Sequence, residues 1–452
     1  MRLVYPDPGA GPAATAAPAG TSVRAAYPTD NTNRILIRIL APHIPAPMEA
    51  WFDRSAGHGE ISGIPPGDRI VVEVDEYDNT ARTLFTAAPL LGRGWTQGVS
   101  LGPGQFKTVP VTMYARGAIV RVCGAAPVSG AGTPGDTGDG GLADNATLNN
   151  PLSVKVGPGD EIFVASTGAK RIRKIDRYGF ISHYAGDGTD NAIAEGMDAA
   201  TAPIGSVFDM DFDGAGNLYF INWVQQIIKI DKITEKIVVK YGGQPLDIFA
   251  KPDLAVVNDN SIFYSNGLDN RVYLVQGGAR TDYVADNTPW ETGEGAYRLR
   301  YPVRYPASVS YNPGGPTLFV CDRNNHLIKY ISWVLGQDNV YTLAGNSAGG
   351  SFYEGIEATS LSLSFPQWIE FDKVSRGFYF RERDFHRIRR VTGTRVYSFA
   401  GGDQAGYSGD GDAATLARLN NPGGVAVDSR GNVYIADTGN HAIRVVVGGA
   451  LP

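Results

Sequence analysis

The sequence predicts an all-β protein in which a small β-sandwich precedes a six-bladed β-propeller. Glycine accounts for 57 of the 452 residues, and charged residues make up 19%, which is typical of turn-rich β proteins. Short runs alternate apolar and polar residues with the period of a strand. Six related segments begin at prolines that are 49 to 60 residues apart, which is the repeat length of propeller blades.

The N-terminal quarter divides into two parts by composition. Residues 1–30 are rich in Ala, Pro and Gly without periodicity, so we expect a flexible lead. Residues 31–115 contain alternating runs such as Ile35, Ile37 and Ile39 on one face of a single strand. This second part is long enough to fold independently and is predicted to be the small β-sandwich.

The rest of the chain, residues 116–452, is built from the six repeats. They begin near Pro151, Pro203, Pro252, Pro306, Pro366 and Pro422. Each repeat contains three short strands and most continue into a fourth, but the last ends after its third. The segment 118–123, just before the first repeat, has the pattern of the missing strand. We therefore expect it to pair with the last repeat and to close the ring, which removes two open sheet edges.

The linkers of the repeats carry a family resemblance. The stretch GYSGDGDAATLARLNNP at 406–422 leads into GVAVD and DTGNHAIR, and GDTGDGGLADNATLNNP at 135–151 is a second copy of the linker. These motifs closely resemble bacterial NHL-repeat proteins, and Asn325-His326-Leu327 spells the family tripeptide. Residues 31–115 resemble immunoglobulin-like or prealbumin-like modules of bacterial surface proteins. The resemblance implies a fold and an extracytoplasmic location, with no signal visible in the chain, but it leaves the activity open.

Charge and cysteine usage narrow the function classes. The chain has 40 Lys and Arg against 46 Asp and Glu, a net charge of −6, so nucleic acid is not an expected partner. No run approaches the ~18 apolar residues of a transmembrane helix. Cys123 and Cys321 lie in separate apolar runs, which predicts two unpaired core thiols rather than a disulfide framework.

Three consecutive repeats place a histidine four residues after an acid, namely His326, His386 and His441. One interpretation is a metal or acid-base cluster, as in the propeller lyases that the fold resembles. The other is that each ring packs on the neighbouring blade and bonds to a turn. Equivalent positions on different blades are held apart, whereas zinc needs nitrogens about 2 Å from one atom. The structural interpretation is favoured, and no metal or cofactor is expected.

Acidic turns offer a second set of candidate cation ligands. Asp209, Asp211 and Asp213 alternate as in a calcium loop, but the twelfth position, which needs a bidentate acid, is Phe220. The Gly-Asp-Gly linkers have the same two interpretations. We expect these aspartates to bond nearby backbone amides, and glycine to supply the positive φ angles that tight turns need.

The connection between the third and fourth repeats departs most from the family linker. It carries aromatic and arginine side chains, the residue types that dominate interface hot spots and sugar-stacking platforms. The candidate binding residues are Trp290, Tyr297, Arg298, Arg300, Tyr301 and Arg304. They predict a protein or glycan partner on the face that carries the long connections. The alternative is that these aromatics cover the edge of a blade.

No catalytic motif occurs in a matching structural context, so a binding scaffold is favoured and catalysis is left open. The alternative is a propeller enzyme, a metal-dependent lyase or a lactonase-like hydrolase, with its site at the central channel. A structural surface module is a third candidate. Convergence of polar side chains on the channel would favour the enzyme. The sequence leaves the ligand and the oligomeric state open.

Overall fold

The computed structural model is an all-β chain in which strands are joined by turns and single-turn 3-10 helices. It describes residues 22–26, 34–53, 58–77, 90–103, 105–109, 111–124, 132–242, 252–285, 296–298, 301–315, 317–334, 337–348, 355–373, 375–382 and 385–449. Two compact units are present. The first contains the chain up to Ala118, with Asp176–Phe180 and Val447–Gly449, and the second contains Ile119–Ile175 and Ile181–Val446.

The described residues of the first unit form two sheets. Its strands are β1 (Ser22–Ala26), β2 (Arg34–Leu40), β3 (Met48–Asp53), β4 (His58–Ser62), β5 (Gly67–Tyr77), β6 (Leu90–Leu101), β7 (Phe106–Thr108) and β8 (Thr112–Ala115). One sheet has the strand order β4-β1-β7 and the other β3-β2-β5-β6-β8. Ile61 of the smaller sheet packs in one buried cluster with Ile37 and Val72 of the larger, so both sheets contribute to a single core.

The flexible lead predicted for residues 1–30 needs a correction. Ser22–Ala26 forms β1, which pairs antiparallel with β4 and parallel with β7. The composition of this segment predicts no strand, but pairing on both sides gives its backbone groups the partners that order a strand. Residues 1–21 and 27–30 lie outside the described residues.

The second unit begins with β9 (Ile119–Cys123) and continues through the repeats. The first three repeats give β10 (Pro151–Val156), β11 (Ile162–Ser166), β12 (Arg171–Ile175), β13 (Ile181–Ala185), β14 (Val207–Phe212), β15 (Leu218–Asn222), β16 (Ile227–Ile230), β17 (Ile237–Tyr241), β18 (Leu254–Asn258), β19 (Ser261–Asn266), β20 (Arg271–Gln276) and β21 (Ala279–Val284). The last three give β22 (Ala296–Tyr297), β23 (Pro306–Asn312), β24 (Thr317–Asp322), β25 (Leu327–Val334), β26 (Gln337–Ala344), β27 (Ile356–Glu357), β28 (Pro366–Phe371), β29 (Phe378–Glu382), β30 (His386–Thr392), β31 (Arg395–Gly402), β32 (Val425–Val427), β33 (Val433–Asp437) and β34 (Ala442–Val446).

Each repeat forms one antiparallel sheet whose strands follow chain order. Among the strands that the structure describes, three sheets have four strands from their own repeat, and two gain a short fifth strand from the preceding connection, β22 or β27. The last sheet has the order β32-β33-β34-β9, so its fourth strand comes from the residues that precede the first repeat. Val120 lies opposite Val445 in this pairing. The edge of β34 is thereby covered.

The first strand of each sheet, β10, β14, β18, β23, β28 or β32, packs against the first strand of the next, and β32 packs against β10. The six first strands therefore enclose a common space, called here the axial space. Gly424 makes the last contact close, because its backbone N–H donates to Leu152 O at 2.8 Å. A Cβ atom on the adjacent Gly423 would lie 2.2 Å from the same oxygen.

The core of the second unit lies between consecutive sheets. Phe163 and Ile172 of the first sheet, for example, pack with Met210 and Phe220 of the second. The apolar residues of each strand thus face neighbouring sheets, and alternate positions of the first strands face the axial space. The described part of the chain contains no helix with the length and apolar character needed to span a membrane.

Candidate functional site

Charged side chains converge on the axial space. They are called here the axial cluster, which consists of Lys155 on β10, Asp209 and Asp211 on β14, Asp253 just before β18, and Glu370 on β28. Lys155 Nζ lies 2.6 Å from Glu370 Oε2, and these side chains are only 15% and 21% exposed. Because β10 and β28 both pack against β32, this ion pair joins two first strands that flank a third.

Two carboxyl groups of the axial cluster are almost fully buried. Asp209 Oδ1 accepts from the Ser153 hydroxyl at 2.8 Å, and Asp253 Oδ2 accepts from the Ser308 hydroxyl at 2.7 Å. Burial raises the pKa of Asp209. Burial, followed by the negative charge of Asp209, raises the pKa of Asp253 well above its usual value. The two acids therefore hold protons more tightly than exposed aspartates do.

The pKa of Lys155 is also raised, but by neighbouring charges and against the effect of burial. Burial by itself would lower the pKa of Lys155, but the charges of Glu370, Asp209, Asp211 and Asp253 raise it well above the ordinary value. Burial also raises the pKa of Glu370, an effect that the Lys155 charge opposes. The ammonium group of Lys155 is thus charged across the physiological range and is held by carboxylates.

A cavity of about 480 Å³ adjoins the ion pair at the C-terminal ends of the first strands. Residues from all six first strands, or from the turns that follow them, line it, so it lies in the axial space. Asp211 and the aromatic side chains Phe212, Tyr311 and Phe371 contribute to the lining. The volume falls in the range of small-molecule sites.

The other end of the axial space is filled by apolar side chains. Leu152, Phe208 and Trp368 form a buried cluster near the start of their strands, and Trp223 packs against it. The pairing of β28 with β29 shifts register between Gln367 and Glu370, and Trp368 has a φ of 54°. This left-handed conformation is unusual for a bulky residue. The axial cluster thus lies between an apolar cluster and the cavity.

The acids at the ends of the second strands accept hydrogen bonds from backbone N–H groups of the linkers. Asp437 Oδ1 accepts from Asn420 N at 2.7 Å, and Asp322 Oδ1 accepts from Arg304 N at 2.7 Å. Glu382 Oε1 accepts from Ser364 N in the same way. Burial raises the pKa of Asp437 to about 7. Burial raises the pKa of Asp322 to about 6.

The histidines that follow these acids bind the next repeat instead. His441 Nδ1 accepts from Asn150 N at 3.0 Å, and His386 Nδ1 accepts from Asn421 N at 2.9 Å. His326 Nδ1 lies 3.4 Å from Phe365 N and 3.1 Å from Leu363 O. Each donor residue directly precedes the proline that begins the next repeat. The contacts of His441 and His386 require an unprotonated Nδ1, whereas a hydrogen bond from His326 Nδ1 to Leu363 O requires a protonated one.

Burial favours the neutral form of His386 and His441. It lowers the pKa of His441, and burial together with the nearby Arg381 charge lowers the pKa of His386. Among the residues that the structure describes, no three His, Cys, Asp or Glu side chains lie close enough together to hold a metal ion.

The acidic turns are explained by protein contacts. Asp213 Oδ1 accepts from Asn217 N at 2.9 Å, and its other oxygen accepts from the Tyr219 hydroxyl at 3.1 Å. In the linkers, the fully buried Arg444 and Arg173 bind the aspartates. Arg444 Nη2 lies 2.8 Å from Asp410 Oδ1, an ion pair that the sequence analysis does not anticipate.

The predicted binding residues that the structure describes differ in their contacts and in their exposure to solvent. Trp290 and Arg300 lie outside the described residues, and the backbone of Tyr297 pairs with Asn339 across β22 and β26. Arg298 Nε lies 2.6 Å from Asp338 Oδ2, and its guanidinium lies 4.3 Å from the Tyr283 ring centre.

The last two candidates differ in exposure. Tyr301 is buried, with its hydroxyl 3.4 Å from Asp322 Oδ2 and Lys329 Nζ 4.8 Å from its ring centre. Arg304 is exposed. The cavity lies at the opposite end of β23 from this connection, since Arg304 is two residues before β23 and the cavity adjoins the strand's far end.

Sequence reasoning did not single out Lys155, Asp253 or Glu370. The available signal was a polar residue at alternate positions of the first strands, where Lys155 follows the buried Val154 and Glu370 follows the buried Ile369. In a closed ring the face opposite the blade core points to the axis, so such residues meet even though they are far apart in sequence.

Comparisons with known proteins agree with this architecture. Residues 419–446 match the NHL repeat family model. A curated relative, Protein SUPPRESSOR OF QUENCHING 1, chloroplastic, of Arabidopsis thaliana, is 29% identical over 147 residues, which is 31% of this chain and 14% of the relative. The chain therefore spans a small part of this relative's length. The protein is an all-β protein with a β-propeller-like fold and an NHL repeat.

Two solved structures from Bacteroides share the fold over most of both chains. A structural genomics protein of unknown function from Bacteroides thetaiotaomicron has a TM-score of 0.54 and 13% identity, covering 84% of this chain and 96% of the other. An auxiliary nutrient binding protein from Bacteroides ovatus has a TM-score of 0.52 and 16% identity, covering 91% and 93%. At these identities the likeness establishes the fold alone.

Proposed function

We propose that the protein is an extracytoplasmic binding scaffold for a protein or glycan partner. In this proposal residues 116–452 form a six-bladed NHL-type propeller, closed by strand 118–123, and residues 31–115 form a small immunoglobulin-like or prealbumin-like sandwich. The cycle of first-strand contacts and the pairing of β9 with β34 support the ring. The single core shared by two sheets supports the sandwich.

The partner binds on the long-loop face, at the connection that contains Trp290 and Tyr297. The observation that carries this proposal is the attachment of the connection to its own sheet. β22 pairs with β26, Arg298 binds Asp338, and Tyr301 lies buried beside Lys329. The described parts of the connection, residues 296–298 and 301–305, lose little conformational entropy on binding when they are attached in this way, which favours recognition.

The proposed location draws on two observations. Residues 31–115 resemble modules of bacterial surface proteins, and one solved structure of the same fold is described as an auxiliary nutrient binding protein. Cell fractionation of the native host, with detection of the full chain, tests the location. Recovery in the cytoplasmic fraction would contradict it.

The binding proposal is tested with a glycan array and a panel of purified polysaccharides as probes. Replacing Trp290 and Tyr297 together with alanine is expected to weaken binding at least tenfold without changing the melting temperature, because large aromatic contacts carry much of an interface. Tyr397→Ala removes an exposed tyrosine of β31 and is the matched control. If the double variant does not fold, Arg304→Ala serves in its place, and unchanged binding in that variant would exclude this face.

The axial cluster favours a second candidate, a propeller enzyme with its site at the central channel, such as a metal-dependent lyase or a lactonase-like hydrolase. The supporting observation is that Lys155 and Glu370 meet in the axial space beside a cavity. For His386 and His441, Nδ1 is occupied by a backbone hydrogen bond, so a metal could reach only Nε2. Elemental analysis combined with a lactone hydrolysis panel tests this candidate. Turnover that Glu370→Gln abolishes would establish it.

A further inference from the structure

We propose that the axial cavity binds a small organic cation through its ammonium group. The proposal concerns the opposite ends of the first strands from the long-loop face, so it does not depend on the binding site proposed above.

The first argument is the construction of the cavity. It has a volume of about 480 Å³, and elements from six sheets line it, so its shape is fixed by the closed cycle of first strands. Phe212, Tyr311 and Phe371 form part of the lining. Aromatic rings attract cations through their negative faces while also contacting the methylene groups of an alkyl chain. A cavity of this size accommodates a short alkyl amine or diamine.

The second argument is charge. The described lining of the cavity sets the two ammonium groups of Lys155 and Lys373 against five carboxyl groups, which include Asp211 and Glu370. Asp211 accepts backbone hydrogen bonds from Phe212 N on Oδ1 and from Val256 N on Oδ2, each at 2.8 Å. An incoming cation would meet this carboxylate in a partly buried site where its charge is weakly screened.

Other carboxylates in the lining are committed to the turns. Asp428 Oδ1 accepts from Asn432 N at 2.8 Å, and Asp213 Oδ1 accepts from Asn217 N at 2.9 Å. Both acids also accept from a tyrosine hydroxyl on the second strand of their sheet. The ligand's ammonium is therefore assigned to Asp211 and Glu370.

The third argument is that the chain already places an ammonium in this space. Lys155 Nζ is held at 2.6 Å by Glu370 and is stabilised by the surrounding aspartates. The axial space thus provides hydrogen-bond acceptors and a negative electrostatic potential, both of which stabilise a protonated primary amine. Since the carboxyl groups of the described lining outnumber its two lysines, a free anion is disfavoured and a cation is favoured.

Isothermal titration of the full chain with putrescine tests the proposal. Its uncharged isostere 1,4-butanediol, the acid succinate and the sugar maltose are the comparison probes. Putrescine is expected to bind with a dissociation constant below about 1 mM, and the other probes at least tenfold more weakly. Equal binding of butanediol, preferential binding of maltose or succinate, or no binding of putrescine would overturn the proposal.

Two variants separate the charge from the cavity shape. Asp211→Asn, which keeps the size of the side chain, is expected to weaken putrescine binding at least tenfold, and the exposed Asp144→Asn is the matched control. Lys155→Ala frees Glu370 and is expected to strengthen binding of putrescine or methylammonium severalfold. If Lys155→Ala does not fold, Asp211→Asn decides, and unchanged putrescine affinity in that variant contradicts the proposal.

Discussion

The imidazole of His441 accepts a hydrogen bond from the backbone N–H of Asn150, 291 residues earlier in the chain, with 3.0 Å between the nitrogens. The contact joins the last repeat to the first. The third repeat has Asn270 at the equivalent position, and its side-chain oxygen accepts from Tyr305 N at 2.7 Å. A side-chain acceptor at this position therefore links consecutive sheets, whether it is a ring nitrogen or an amide oxygen.

The link predicts different outcomes for two replacements of His441. His441→Asn is expected to keep the acceptor, as Asn270 does, and to change the free energy of unfolding little. His441→Ala leaves Asn150 N without its acceptor and is expected to cost about 1 kcal/mol. Urea denaturation at pH 7.5 measures both. Equal losses in the two variants would show that the ring's packing, rather than its Nδ1, matters.

The lowered pKa of His441 predicts a pH dependence of stability. The unfolded state takes up a proton near pH 6.5, before the folded state does, so the contribution of this group is full above that pH. It decreases as the pH falls from 6.5 towards the folded pKa. The stability difference between wild type and His441→Asn should therefore change in the variant's favour on acidification. A difference that is constant between pH 7.5 and 5 contradicts the prediction.

The raised pKa of Asp437 predicts that its contribution to stability decreases as the pH rises. Its folded pKa is raised from 3.8 to about 7, so its contribution to stability is full below pH 3.8 and decreases as the pH rises towards 7. Asp437→Asn does not titrate, so its stability relative to wild type should improve over this range. Asp322→Asn is a matched comparison, expected to stop changing near pH 6. Parallel pH curves for wild type and both variants would contradict the assignment.

The closing strand predicts a strong effect of proline at Val120. Val120→Pro removes a backbone donor from the pairing of β9 with β34, which exposes a sheet edge. We expect a loss of stability on the order of 1 to 3 kcal/mol. Val120→Thr keeps the β-branched shape and the donor and is the control. Chemical denaturation of both variants decides, since equal stabilities would mean that this pairing contributes little.

Thiol labelling reports on the same strand. Cys123 on β9 and Cys321 on β24 are both buried, and burial raises the pKa of Cys123 to about 12. Neither thiol should react with a maleimide in the native protein. Val120→Pro is expected to accelerate labelling of Cys123 more than that of Cys321, as mass spectrometry of the labelled peptides would show. Equal acceleration would indicate global unfolding instead.

The sequence by itself determined the all-β class, the positions of the repeats and the roles of several turn residues. These are local properties, because the alternation in Ile35–Ile39 and the Asp213–Asn217 turn depend on neighbouring residues alone. The lack of a fourth strand in the last repeat could also be recognised from the sequence, because most of the other repeats continue into a fourth strand. The strand Ser22–Ala26 was missed because its order comes from β4 and β7 rather than from its own composition.

Only the tertiary structure decided which side chains meet. Lys155 and Glu370 are 215 residues apart, and their 2.6 Å contact exists because the first strands of separate sheets enclose one space. The same closure forms the cavity at one end of that space and packs Trp368 against Leu152 at the other. A one-residue register shift would turn each of these side chains to the opposite face of its strand, so the contact depends on the register that buries the apolar face of every strand.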